Sequence, residues 1–180
     1  MRPLPCQTVL SIVLISLALT ACSPQFNWRD YSSDAAPYSV MFPDKPSSHT
    51  RQIDLEGMKV EMTMTAAQVD GTMFAVGTAE APDAASAEKA LAAMKTALVK
   101  NIGATIKSEK AGKASAIGAG QARSAAIDIE ASGEQKGEPM RLVGHFESRD
   151  KRFYQVVVIG KEKDLTPENV QMFMSSFKLQ

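Results

Sequence analysis

The chain contains two histidines, and one of them stands where acid–base chemistry is conceivable. Arg141, Val143, His145 and Glu147 alternate along one segment, so a strand there sets all four on one face. An imidazole two residues from a carboxylate has the reach of a general base and its partner acid. The opposite face carries Met140, Leu142 and Phe146, so an ordinary strand with its polar side in water explains the same pattern. On that simpler reading Arg141, His145 and Glu147 form an exposed polar patch, no catalytic residue is assigned, and the protein is not an enzyme. His49, beside Ser47 and Ser48, reads as a water-facing residue. No G-x-S-x-G, H-E-x-x-H, C-x-x-C or EF-hand motif occurs. Gly118-Ala-Gly120-Gln-Ala-Arg123 begins like a phosphate-binding glycine loop. It ends on Arg123 and leads into a strand rather than a helix, so it reads as a turn. Ten methionines invite a Cu(I) site, since thioethers suit that ion. Met58, Met62 and Met64 do alternate on one strand face, but Val60 sits among them and a core strand explains all four. No metal or other cofactor is expected.

The cysteines carry a more specific chemistry. Arg2 is the only charge in the first 28 residues, and an apolar run follows from Val9 to Leu19, broken only by Ser11 and Ser16. A bilayer span needs about 20 apolar residues. This run is shorter and fits the apolar core of a secretory signal, ~7–15 residues. Leu19-Thr20-Ala21-Cys22 then resembles a bacterial lipobox. That resemblance implies cleavage after Ala21, a diacylglycerol thioether on Cys22 and acylation of the new amino group. The alternative is a plain secretory signal with a free cysteine nearby. Cys6 would leave with residues 1–21, and a lone Cys22 cannot close an internal disulfide. The rest of the chain is long enough to build its core without one. In enteric bacteria Asp after the lipidated cysteine retains a lipoprotein at the inner membrane. Ser23 therefore favours the outer membrane, facing the periplasm. Two acyl chains make such anchoring stable.

Lysine plus arginine and aspartate plus glutamate each total 20, so net charge is +0 and no basic stripe marks a nucleic-acid partner. Residues 22–37 read as the lipidated N-terminus and a short tether, and 38–180 as one domain. Cys22 to Trp28 spans at most about 20 Å, which keeps the domain close to the bilayer. Trp28 and Tyr31 read as docking on the domain edge, with the membrane interface as the alternative. Tyr38–Phe42, His49–Leu55, Met58–Val69 and Thr72–Thr78 read as a strand meander, with Asp70-Gly71 a hairpin turn. On Met58–Val69, Lys59, Glu61, Thr63 and Thr65 are assigned to solvent. A helix follows, capped by Ser86, with Ala87, Leu91, Met94, Leu98 and Ile102 on its buried stripe and Gly103 at its end. Ala104–Ala111, Arg123–Ala131, Pro139–Arg149 and Phe153–Ile159 read as strands, with a polar turn over 133–138. The last strand is apolar on both faces, which makes it central. Thr166 caps a final helix with Pro167 in its first turn and Val170, Phe173, Met174 and Phe177 buried. This order predicts an α+β fold: a mostly antiparallel sheet packed between helices, as an α/β/α sandwich.

The opening Trp28…Tyr38-Ser-Val-Met-Phe-Pro-Asp-Lys-Pro46 resembles that of PsbP-like and DcrB-like bacterial lipoproteins. The ending, Arg152-Phe-Tyr-Gln-Val-Val-Val158 with Phe173-Met-Ser-Ser-Phe177, resembles theirs too. The resemblance implies an antiparallel sheet between helices and a binding or accessory role, and it carries over no catalytic residue. The expected function is a membrane-anchored, non-catalytic binding or accessory module of the cell envelope that meets an envelope protein or another envelope component. The alternative is a periplasmic carrier of a small apolar ligand.

Overall fold

Alternating apolar residues drive most of the chain into strands, and the computed structural model describes residues 25–114 and 124–180. The lipobox, Ser23 and the Gly118–Arg123 segment lie outside the described residues. The strands are β1 (Arg29–Ser32), β2 (Tyr38–Phe42), β3 (Ser47–Leu55), β4 (Met58–Val69), β5 (Thr72–Glu80), β6 (Thr105–Ala111), β7 (Ser124–Gln135), β8 (Glu138–Arg149), β9 (Arg152–Lys161) and β10 (Lys178–Leu179). The helices are α1 (Ala84–Asn101) and α2 (Pro167–Ser176). Seven strands form one antiparallel sheet in the order β3-β4-β5-β9-β8-β7-β6, and β1-β2-β10 form a small sheet.

β9 is the middle strand of the seven, as its two apolar faces require. Phe153, Val157 and Ile159 enter one core with Leu91 and Met94 of α1. Tyr154, Val156 and Val158 enter a second core with Phe173 and Phe177 at α2. The large sheet is thus sandwiched, α1 on one face, α2 and the small sheet on the other. Each buried Phe, Leu or Val contributes about 1.5–3 kcal/mol through removal from water.

Local chemistry sets the joints. Asp70 and Gly71 both take positive φ, 47° and 77°, in the two-residue turn expected there. α2 starts where its cap chemistry places it: Thr166 Oγ1 accepts from the Asn169 amide at 3.4 Å, and Pro167 stands in the first turn.

Several expectations are corrected. β2 does not join the meander. Pro43 and Pro46 cannot continue a ladder, so the chain leaves β2 and only β3, β4 and β5 form the hairpins. The segment read as a tether contains β1, which pairs Arg29–Ser32 with Ser39–Phe42, so the fold begins before residue 38. Phe26 stacks on Trp28 at 6.1 Å, and both meet the buried Phe74 edge-on. Asp83, not Ser86, caps α1: its carboxylate accepts from the Ser86 amide at 2.8 Å, and Ser86 lies inside the helix. Thr65 is buried rather than solvated, because Tyr38 of the small sheet covers it and bonds its side chain. The turn over 133–138 shrinks to Lys136-Gly137, and Gly133 stays in β7. A Cβ at Gly133 would lie 2.8 Å from Ala104 Cα, so glycine there lets the chain entering β6 approach closely.

Candidate functional site

Register decides which polar side chains meet. Lys110 on β6, Asp128 on β7, His145 on β8 and Val156 on β9 are successive cross-strand partners. Ser108, Glu130, Val143 and Val158 form the neighbouring row. Directly opposed residues share a face. Because Val156 and Val158 belong to the core beneath α2, both rows lie on the α2 side of the sheet.

His145 stands between two carboxylates. Its Nδ1 is 2.6 Å from Asp128 Oδ1 and its Nε2 is 3.2 Å from Glu147 Oε2. A neutral imidazole has one N–H. Both contacts are donor bonds only when the ring is an imidazolium. Burial pulls its pKa down, but the bonds to Glu147 and Asp128 outweigh this and raise it above the ordinary 6.5. Tyr154, opposite Glu147 on β9, is pushed up to about 12, chiefly by burial, so its phenol stays protonated. Both ring nitrogens face carboxylates, so the protonated ring clamps Asp128 of β7 to β8.

The exposed polar patch expected from the sequence is therefore corrected. Glu147 is fully buried, and the His145 side chain is only 14% exposed. Phe177, at the end of α2, brings its ring to 6.3 Å from the imidazole and covers that stretch. Arg141 alone of the three is well hydrated, and it donates to Glu130 Oε2 at 3.0 Å. The structure brings His145 and Glu147 together and leaves Arg141 further along the strand. It adds Asp128, whose signal in the sequence is its distance from Lys136-Gly137: it lies as far before that turn as His145 lies after it. His49, on the edge strand β3, is exposed.

Beside this clamp runs a groove of about 350 Å³. One wall is α2, which presents Pro167, Val170, Gln171 and Met174 at the helical spacing i, i+3, i+4, i+7. The other wall and floor are Val143 with the charged side chains of Lys110, Asp128, Glu130 and Arg141. A second hollow of about 200 Å³ adds Lys113, His145 and Phe177, and it shares Asp128 and Met174 with the first. Adjoining through these two residues, the hollows make a channel whose helical side is apolar apart from Gln171 and whose strand side is charged.

The methionine face belongs to the core. Val60 and Met62 are buried under α1, and Gln155 Nε2 donates to Met64 Sδ at 3.4 Å. Among the described residues no group of three or more His, Cys, Asp or Glu is placed to hold a metal ion. Among them, too, no helix is long and apolar enough to cross a membrane. No protein-family model and no curated protein matches the chain.

Proposed function

We propose that this protein is a lipid-anchored binding module of the bacterial cell envelope, held through Cys22 at the outer membrane and facing the periplasm. The observation that carries the binding reading is the two-walled groove beside α2, apolar on the helix and charged on the strands. An apolar wall gives affinity and fixed charges give orientation. The engagement of both His145 ring nitrogens by the protein's own carboxylates supports a non-catalytic role.

The anchoring half rests on Leu19–Cys22 and on the short span to the folded domain. The likeness to PsbP-like and DcrB-like lipoproteins supports an accessory role. Its opening and closing motifs pack against each other: Tyr38 meets Phe177 at 5.9 Å, and Phe42 meets Phe173 at 5.4 Å. A carrier of a small apolar ligand is the second reading, favoured by the groove's position between helix and sheet.

The test is affinity capture from envelope membranes with the lipidated protein and its Gln171→Trp variant. Gln171 is an exposed helix residue on the groove wall, so the indole fills the groove without entering the core. A ligand or partner held by the wild type and lost by the variant is expected. Equal capture by both would contradict the assignment.

A further inference from the structure

We propose that the groove takes a single-chain amphiphile with a carboxylate head, its chain lying along α2 and its head at Lys110 and Lys113. This rests on the reading of the groove as a binding site. The charge pattern argues for the head. Three acidic side chains stand in or beside the channel, and two cationic side chains, His145 and Arg141, bond them. Asp128 and Glu147 accept from His145, and Glu130 accepts from Arg141. Lys110 and Lys113 are exposed, line the channel, and make no ion pair with any described residue. With the two lysines added, four cationic groups stand against three carboxylates, so the small excess is positive and the cations without an ion pair lie on the β6 side. An anion bound there meets two ammonium groups, neither of them held in an ion pair by a described residue.

The opposite wall argues for the chain. Pro167, Val170 and Met174 offer apolar surface facing Val143, and no charged side chain of α2 lines that wall. Size argues for one chain. The groove of about 350 Å³ and the adjoining hollow of about 200 Å³ together stay in the lower half of the range of ligand sites, ~300 to ~1,000 Å³. A two-chain bilayer lipid would leave one chain in water.

The proposal is tested by titrating decanoate, decanol and decyltrimethylammonium into the lipidated protein in phosphatidylcholine nanodiscs, following the Met174 methyl resonance. Decanoate should shift it saturably, and the two controls should not. Lys110→Glu with Lys113→Glu, both at exposed sites, should weaken decanoate about tenfold or more while leaving the melting temperature near wild type. Equal shifts from decanol or the cation would overturn the head-group assignment, as would decanoate binding untouched by the double variant. A Met174 shift produced by phosphatidylglycerol nanodiscs without decanoate would overturn the single-chain source in favour of membrane lipid. If none of the three probes moves Met174 while Gln171→Trp still abolishes capture, the ligand class is wrong and the binding-site reading stands. If capture is also insensitive to Gln171→Trp, both fall.

Discussion

Replacing His145 by Ala tests the clamp between β7 and β8. The variant removes two charge-assisted bonds and takes the His145 cation away from Glu147, which is fully buried. Removing one partner of a buried ion pair costs about 3–5 kcal/mol. Asp128 is one-third exposed and water can replace its lost bond, so the lower end, about 3 kcal/mol, applies. For a chain of this size that lowers the melting temperature by about 6–12 °C. The loss depends on pH, and its sign is fixed. His145 has a folded-state pKa above the ordinary 6.5. Its stabilisation is complete below that ordinary value and fades as pH rises through the raised one. Thermal melts of wild type and His145→Ala between pH 5 and 9 should show the largest gap near pH 5–6, narrowing towards pH 9. Pairing His145→Ala with Glu147→Gln should recover part of the loss, because the buried carboxylate is then neutral. A gap under about 2 °C, or one constant across this range, would refute the imidazolium clamp.

Other substitutions probe the remaining joints. Phe173 is fully buried against Phe42 and Phe74, so Phe173→Ala should cost about 3–5 kcal/mol in denaturant titration. Gly133→Ala drives a methyl into the Ala104 backbone and should cost about 1–3 kcal/mol. Intact mass spectrometry of the membrane form should show a chain beginning at Cys22 with acyl mass added. Cys22→Ser should abolish both cleavage and anchoring, and a soluble unmodified wild-type product would refute the lipoprotein reading.

Much of the frame was legible because it rests on local rules. Period-2 patterns with the two-residue turn at Asp70-Gly71 marked the hairpins, and the two-sided apolar run of Phe153–Ile159 announced the central strand. Thr166-Pro167 announced α2 because cap and φ preference act within one turn. What was missed depends on contacts distant in sequence. Alternation showed that His145 and Glu147 share a face. Nothing local to β8 shows that Phe177, 32 residues after His145, covers it. Asp128 stayed hidden because its pairing follows from the turn at 136–137, which polar residues on both sides made look longer. β2 read as part of the meander because strand pattern gives no partner, and its partners come from Arg29–Ser32 and Lys178–Leu179 at the two ends of the folded chain. Ser86 and Asp83 are both good caps, and only the backbone turn at Asp83 decides between them.

The claim that the α2 groove is the working surface is tested most directly by site-specific photocrosslinking in intact envelopes. A photo-methionine side chain at position 171, with a small diazirine and about the bulk of the glutamine it replaces, reaches along the groove wall without filling it, whereas Met172, 45% exposed, lies outside the lining. A discrete adduct is expected from position 171 and none from position 172 in the lipidated protein. Equal adducts from both positions, or an adduct from 172 alone, would contradict the claim.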